Sequence, residues 1–177
     1  MVSDRWHLFG ILFVIFGKKF KAMKKIAITL FLILGSLTIQ AQELTWQTDI
    51  NKAMEISKKS KKPLFLFFTG SDWCGWCIRL QKEVFKTPEF EKWAKKNVVL
   101  VELDFPRRTA QDPAIQKQNA ELQQTFAVQG YPTVWFVNAS KKDGKINLEK
   151  LGSSGYLAGG PTAWLANADQ ILANKKS

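Results

Sequence analysis

Cys74 and Cys77 are the only cysteines in the 177-residue chain. If they open a helix, their spacing places both sulfurs on one side of its first turn, close enough to form a disulfide. The unpaired N–H groups and the positive dipole end of a helix N-terminus stabilise a thiolate, so the pKa of the first cysteine should fall below its free value of about 8.5. The pair therefore predicts a dithiol that cycles between two redox states, with Cys74 as the attacking sulfur.

Two other uses of such a pair are open. A structural zinc site needs four ligands, but the chain offers a single histidine, His7, in a segment that we expect to be removed. A purely structural disulfide that closes so small a loop would stabilise the fold by only about 2 kcal/mol on the chain-entropy account. Redox activity is the favoured interpretation.

The sequence around the cysteines favours redox chemistry. An apolar run at 64–68 precedes a turn that contains Gly70 and Ser71, after which the cysteines open a helical pattern. The chain reads Trp-Cys-Gly-Trp-Cys at 73–77 and Gly-Tyr-Pro-Thr at 130–133. Together these motifs resemble the thioredoxin superfamily over nearly the whole mature chain, and within it the exported bacterial thioredoxin-like disulfide reductases.

The resemblance implies an α/β, thioredoxin-like fold with a central mixed sheet of about four strands flanked by helices. It also implies that Pro132 follows a cis peptide bond and faces the dithiol across a groove, although X–Pro bonds in general are cis only about 5–6% of the time. Trp73, Trp76, Tyr131 and Thr133 would line this substrate-binding groove together with Pro132. The alternative role of the two tryptophans is partial packing against the core.

The resemblance further implies thiol–disulfide exchange without a metal or an organic cofactor. The Cys74 thiolate attacks a substrate disulfide, and Cys77 resolves the mixed disulfide, which leaves a Cys74–Cys77 bond. Many members of the superfamily carry a buried carboxylate six residues before the first cysteine, where this chain has Phe68. Glu102 on the next strand, or a water molecule, is the candidate replacement as proton acceptor; the alternative for Glu102 is an exposed strand residue.

The sequence neighbours of Cys74 favour a reducing pair. Trp76 adds no charge, Asp72 disfavours a thiolate, and Arg79 lies beyond the second cysteine. Strong oxidants need a strongly stabilised thiolate, so this environment predicts a potential on the reducing side of about −180 mV. We expect a reductase or isomerase of protein disulfides. The alternatives are a disulfide-forming oxidase and a non-enzymatic binding module that keeps the groove.

The N-terminus indicates export. Two apolar runs, 8–16 and 26–39, flank a lysine cluster, and neither reaches the roughly 18–20 residues of a membrane span. Read from Met23, a lysine pair and an apolar run form a signal peptide with cleavage after Ala41. A short membrane anchor is the alternative. The expected organisation is an over-extended start at 1–22, a signal peptide at 23–41 and one periplasmic or otherwise exported thioredoxin-like domain at 42–177.

Removal of residues 1–41 takes away six of the 26 Lys and Arg residues and one of the 15 Asp and Glu residues, so the net charge falls from +11 to +6. Four lysines between 58 and 62 lie at the end of a predicted helix, where cations suit the dipole, so nucleic acid is not an expected partner. We expect a monomer that acts on disulfide-containing exported proteins. A membrane electron conduit of the DsbD type would recharge it in an oxidising compartment.

Apolar periodicity and caps order the elements that position the dithiol. Thr87-Pro88 and Asp112-Pro113 each supply an N-cap followed by proline at the first helical position. Lys142-Asp143-Gly144 is expected to be a hairpin turn. Helices are predicted at 47–59, 74–85, 88–93, 113–126 and from about 161, and strands at 64–68, 98–103, 133–137 and 146–151.

Overall fold

The structure is a computed structural model that describes residues 44–142 and 145–174. The predicted start segment, signal peptide and cleavage site lie outside the described residues. No helix in the described part of the chain is long and apolar enough to span a bilayer. The elements follow in the order α1 (Ile50–Ser60), β1 (Leu64–Thr69), α2 (Gly75–Leu80), a π-helical turn (Gln81–Phe85), α3 (Pro88–Asn97), β2 (Val99–Asp104), α4 (Pro113–Thr125), β3 (Thr133–Lys142), β4 (Lys145–Ser154) and α5 (Gly160–Ala173).

The four strands form one mixed sheet in the order β2-β1-β3-β4. β1 pairs parallel with β2 and antiparallel with β3, and β3 and β4 form an antiparallel hairpin. All six residues of β1 are buried, as expected for a central strand covered on both faces. The predicted α/β fold, with a central mixed sheet of about four strands flanked by helices, is confirmed.

Alternate residues of β1 enter separate cores on the two faces of the sheet. Phe65 and Phe67 belong to the core that also contains both cysteines and Trp164 of α5. Leu66 and Phe68 pack on the other face, with residues of α1 and α4. The dithiol is therefore built onto the sheet face that α2, α3 and α5 cover.

The first helix begins three residues later than the sequence predicts. Asp49 caps α1, because its carboxylate accepts hydrogen bonds from N–H groups of the first turn. Gln47 instead pairs with β2: its N–H donates to Leu100 O, and its carbonyl accepts from Glu102 N. Gln47 thus extends the edge of the sheet and not the helix.

The helix that follows the cysteines continues through the π-helical turn and stops before Thr87. Thr87 Oγ1 accepts a hydrogen bond from Phe90 N at 3.3 Å, and Pro88 occupies the first position of α3. The predicted break between these two helices is confirmed, and α3 continues to Asn97, four residues beyond its predicted end.

A buried asparagine ties α4 to the sheet. Asp112 caps α4 as predicted, and Leu122 is buried, whereas Ile115 is only half-buried. Asn119, which the apolar pattern does not select, is fully buried, and its Nδ2 donates to Asp104 O at 2.9 Å. This bond fixes α4 at the carboxyl end of β2, where the chain turns toward the dithiol.

The C-terminal hairpin is longer than predicted, because β3 and β4 each contain ten residues. The turn expected between them includes residues outside the described part. α5 buries Trp164, Ala168 and Ile171 as predicted, and leaves Leu165 and Leu172 half-buried. The hairpin and α5 close the sheet face that carries the dithiol.

Candidate active site

The two cysteines form a disulfide at the start of α2. Cys74 is the N-cap residue, and its Sγ accepts a hydrogen bond from Cys77 N at 3.2 Å. Cys74 is 6% exposed, whereas Cys77 is fully buried. Both sulfurs therefore lie on one side of the first helical turn, and both cysteines are buried, with Cys74 the more accessible of the two.

A tight turn at Gly70 leads from β1 to Cys74. The carbonyl of Gly70 accepts hydrogen bonds from the N–H groups of Trp73, at 3.3 Å, and Cys74, at 2.8 Å. The Trp73 ring lies against Gly70, and a β-carbon at position 70 would come within 2.4 Å of Trp73 Cε2. Trp73 Nε1 donates to Phe105 O at 2.8 Å. The absence of a side chain at position 70 thus makes room for Trp73 beside the dithiol.

The carboxylate of Asp72 fastens the loop after β2, residues 105–111, to this turn. It accepts hydrogen bonds from the N–H groups of Arg107 at 3.0 Å, Arg108 at 2.7 Å and Thr109 at 3.2 Å. These backbone bonds, above all that from Arg107, hold the pKa of Asp72 below its ordinary value of 3.8. The loop therefore stabilises the ionised form of Asp72.

A second carboxylate, that of Asp104 at the end of β2, holds the same turn. It accepts hydrogen bonds from the N–H and the hydroxyl of Ser71 at 2.8 and 2.6 Å. The backbone carbonyl of Asp104 in turn accepts from Gln111 Nε2 at 3.1 Å. The turn before Cys74 is thus bound to the end of β2 and the loop after it through two carboxylates, those of Asp104 and Asp72.

Two arginines lie on the tryptophans of the cysteine motif. The guanidinium of Arg107 is 3.6 Å from the centre of the Trp73 ring. Arg79 is 5.4 Å from the centre of the Trp76 ring and pairs with Glu83 at 2.7 Å. The sequence neighbours of Cys74 carry no positive charge, but the fold brings Arg107, from the loop after β2, onto the residue that precedes Cys74.

Trp76 lies at the surface beside a residue that the sequence analysis missed, Tyr156. Trp76 is 56% exposed, and the two ring centres are 5.0 Å apart. The Tyr156 hydroxyl donates to Glu83 Oε2 at 2.7 Å. This hydrogen bond is the main cause of a lowered pKa at Glu83 and a raised pKa at Tyr156. Trp76 thus packs on the ring of Tyr156, which its hydrogen bond to Glu83 holds in place.

The residues of the second motif lie where β3 begins, and the Tyr131–Pro132 peptide bond is cis. The Tyr131 ring meets the Trp73 ring edge-on, with centres 5.8 Å apart, and its hydroxyl accepts from Gln123 Nε2 at 2.8 Å. Burial raises the pKa of Tyr131. Thr133 donates its hydroxyl to a backbone carbonyl of its own turn. The structure thus joins Trp73 to Tyr131, whereas Trp76 packs on Tyr156.

Arg107 could have been found by a rule of topology, although its residue type gave no signal. The carboxyl ends of adjacent parallel strands lie at one edge of a sheet, and loops there build sites in α/β folds. Because β1 and β2 are parallel neighbours, the loop after β2 has to run beside the turn that carries Cys74. Tyr156 follows an antiparallel strand, and no comparable signal marks it.

Proteins that resemble this chain often carry a proton-accepting carboxylate six residues before the first cysteine, and this chain has Phe68 there. Phe68 is fully buried in the core on the face away from the cysteines. Val101 and Leu103 belong to that same core, so strand alternation puts Glu102 on the cysteine side. Glu102 is half-buried, and burial, with a smaller effect of Asp104, raises its pKa. It is not an exposed strand residue; its part in proton transfer stays a prediction.

A cavity of about 710 Å³ lies between α1 and the hairpin, and none of the predicted site residues lines it. Its walls include Met54, Lys58, Lys62, Asn138 and Ile146. Within residues 44–142 and 145–174, no three His, Cys, Asp or Glu side chains are close enough to hold a metal ion. The reactive group that the site offers is the dithiol.

Comparisons with known proteins agree with this geometry. A family model described as a thioredoxin-like domain matches residues 50–153. The chain is similar to the disulfide bond reductase DsbH of Chlamydia pneumoniae, at 35% identity over 134 residues that cover 76% of each chain. It is also similar to the thioredoxin-related protein DsbJ of the same organism, at 30% identity over 76% of this chain and 39% of DsbJ.

The fold agrees as well. A solved structure of a DsbH oxidoreductase superposes with a TM-score of 0.67 at 33% sequence identity, and the match covers 78% of this chain and 90% of that structure. Both the sequence and the fold comparisons therefore point to proteins that handle disulfides.

Proposed function

The chain belongs to the thioredoxin-like domain family and is a protein-disulfide oxidoreductase, and from this premise we propose that it reduces or isomerises disulfides of exported proteins through Cys74 and Cys77. The observation that carries the proposal is the unequal placement of the two cysteines. Cys74 caps α2 and keeps 6% of its surface exposed, whereas Cys77 is fully buried. Cys74 is the nucleophile and Cys77 the resolving residue.

The reaction follows from this placement. The Cys74 thiolate attacks one sulfur of the substrate disulfide, a new sulfur–sulfur bond forms, and the other substrate sulfur leaves as a thiolate that takes up a proton. Cys77 then loses its proton and attacks Cys74 Sγ. The Cys74–Cys77 bond forms and the second substrate sulfur leaves, so two electrons pass from the dithiol to the substrate.

The groove for the substrate lies between the two motifs. Trp73 and Tyr131 form one wall, Trp76 supplies an exposed apolar surface, and the backbone around Pro132 and Thr133 is offered to an extended substrate segment. An aromatic and apolar groove of this kind suits a polypeptide that carries a disulfide. Binding by all five residues is part of the proposal.

Arg107 should shift the reduction potential of the dithiol too little to make it a strong oxidant. A cation stabilises the Cys74 thiolate, which makes the pair more oxidising, but Arg107 is exposed. An exposed ionic contact is worth about 0.2–1 kcal/mol, equivalent to about 4–20 mV for a two-electron couple. That is less than the gap of about 60 mV between −180 mV and the strong oxidants. The reductase named DsbH, of which three quarters is matched, supports the same direction.

The location and the electron donor complete the proposal. The N-terminal lysine pair and apolar run support secretion by a signal peptide into the periplasm, or outside an equivalent membrane. A dithiol that reduces proteins there becomes oxidised with each turnover, so it requires a membrane reductant of the DsbD type. The protein acts as a monomer.

Trapping of mixed disulfides tests the assignment of the two cysteines. Cys77→Ala removes the resolving sulfur, so covalent complexes with substrate proteins should accumulate through Cys74. Cys74→Ala should accumulate few or none. Non-reducing electrophoresis of cells that produce each variant gives the comparison. Equal trapping by the two variants would contradict the roles proposed for them.

A further inference from the structure

We propose that Arg107 selects substrates by binding a carboxylate next to the substrate disulfide, so that disulfides flanked by Asp or Glu are preferred. This inference rests on the proposed function and adds a specificity to it. The proposed occupant of the surface over Trp73 is an acidic segment of the substrate polypeptide.

The position of the guanidinium supports this role. Arg107 stacks on the Trp73 ring with 3.6 Å between its central carbon and the ring centre. A stacked guanidinium uses its flat face for the contact and keeps its N–H edge free for a carboxylate, which it can bind through two parallel hydrogen bonds. The stacking thus presents a cation and its donors at the residue that precedes Cys74.

The loop that carries Arg107 is held before any substrate arrives. The Asp72 carboxylate binds the N–H groups of Arg107, Arg108 and Thr109, and Trp73 Nε1 is fixed by Phe105 O. These contacts use the backbone of Arg107, so its side chain stays available. Because less freedom is lost on binding, a prearranged group contributes more of its interaction free energy to affinity.

The Arg107 guanidinium takes part in no ion pair within the described part of the chain. Within the described part of the chain the ion pairs are Arg79–Glu83, Lys95–Glu91 and Lys117–Glu121. The two carboxylates that hold the turn before Cys74 bind other groups: Asp72 binds loop N–H groups, and Asp104 binds Ser71. Arg107 is exposed, and its stacking contact is with a neutral ring. A substrate carboxylate is the complementary charge.

The neighbouring contacts place this cation at the border of the proposed groove. Trp73 adjoins Cys74 in the chain and meets the ring of Tyr131, the residue before Pro132. A segment that runs between the two motifs toward Cys74 therefore passes along Trp73. Arg79, on the Trp76 side, already pairs with Glu83, whereas Arg107, on the Trp73 side, is in none of the ion pairs of the described residues.

Two disulfide-bonded peptides that differ only in Glu or Gln beside the cysteine test the inference. The pre-reduced protein should reduce the Glu peptide in a single turnover with a second-order rate constant about 1.4- to fivefold higher, the range expected for one exposed ionic contact. Arg107→Gln should bring the ratio between the peptides close to one. High salt should do the same to the unchanged protein, because it screens exposed charges.

Arg108 supplies a matched control in the same loop. Its side chain carries the same charge, and Asp72 binds its N–H as well. Arg108→Gln should therefore keep most of the preference, whereas a loss equal to that of Arg107→Gln would overturn the inference in favour of net loop charge. An effect of Arg107 on the Cys74 thiolate alone would change both peptides equally and leave the ratio unchanged in Arg107→Gln, which would also overturn it.

The same experiment separates this inference from the proposed function. Absence of turnover with either peptide would contradict the reductase. The ratio can then be measured in the other direction, by oxidation of the dithiol forms of the two peptides. A ratio above one that Arg107→Gln removes would still support carboxylate binding, and equal rates in the unchanged protein would overturn it.

Discussion

Asp72 has a second effect that its position next to the cysteine motif does not suggest. As a sequence neighbour it should oppose a thiolate, and its oxygens also accept hydrogen bonds from three consecutive N–H groups of the loop after β2. The same residue therefore orders the loop that carries Arg107. At the scale of single residues, the electrostatics of the dithiol depend on contacts between loops.

Asp72→Asn should loosen this loop. The amide cannot carry the negative charge that strengthens the bonds to the N–H groups of Arg107, Arg108 and Thr109, and charge-assisted bonds are about twice as strong as neutral ones. Amide hydrogen exchange at these three positions should become several-fold faster, while exchange in β1 stays unchanged. Unchanged exchange in the loop would show that Asp72 does not hold it.

The pH dependence of the same loop has a definite sign. The pKa of Asp72 is lower in the folded protein than its ordinary value of 3.8. Its stabilisation is therefore fully present above that value and is lost as pH falls through the lower, folded pKa. Loop exchange, corrected for intrinsic rates, should rise at acid pH in the unchanged protein but not in Asp72→Asn.

Glu102 should show the opposite sign, because burial raises its pKa above the ordinary 4.5. The folded state disfavours the ionised form, so this residue destabilises the protein at neutral pH and not below about pH 4. Glu102→Gln should therefore increase the free energy of unfolding at pH 7, and the gain should vanish at acid pH. Denaturant unfolding at several pH values measures this. A loss of stability at pH 7 would mean that the carboxylate has a favourable partner.

At the scale of elements, the turn between β1 and α2 sets the position of the nucleophile. It is short because the carbonyl of Gly70 receives the N–H groups of both Trp73 and Cys74. The Trp73 ring fills the space above Gly70. The sequence showed a turn here, but it could not show that the glycine is needed for a close approach to the ring.

Two glycine substitutions separate this packing from the general effect of adding a methyl group. Gly70→Ala places a β-carbon 2.4 Å from Trp73 Cε2, so it should cost about 1–3 kcal/mol in the free energy of unfolding and displace Trp73. Gly75→Ala is the control, because a β-carbon there meets nothing within 4 Å and alanine favours a helix by about 0.5–1 kcal/mol.

The rate of disulfide reduction should also differ between the two variants. Gly70→Ala should slow disulfide reduction, since Trp73 borders the groove, and Gly75→Ala should leave it nearly unchanged. Thermal unfolding and reduction of a disulfide peptide give the two comparisons. Equal stability and equal activity in both variants would show that the contact between Gly70 and Trp73 does not position the site.

At the scale of the whole molecule, the sequence predicted features that depend on neighbouring residues and missed features that depend on contacts between distant segments. Apolar runs and caps such as Thr87-Pro88 specify elements locally, and they predicted the strands and the helix breaks well. Gln47 was assigned to a helix because its apolar neighbours fit that period, but its N–H and carbonyl pair with β2. Bonds between distant segments override local periodicity there.

The site shows the same division. The cysteine motif predicted a disulfide pair at the start of a helix. This feature depends only on the three-residue spacing of Cys74 and Cys77. Arg107 on Trp73 depends on β1 and β2 being parallel neighbours, and the burial of Asn119 depends on the carbonyl at the end of β2. The residue types alone suggest solvated side chains, which indicates neither the ring under Arg107 nor the burial of Asn119. Only the assembled fold places them.

The central claim is that this dithiol is a reducing one, and its reduction potential tests that claim most directly. The protein is equilibrated with mixtures of reduced and oxidised glutathione, and the fraction of Cys74–Cys77 disulfide is measured in each. We predict a potential more negative than about −180 mV, on the reducing side of protein disulfide isomerase. A value near −120 mV, typical of strong oxidants, would contradict the account and assign the protein to disulfide formation.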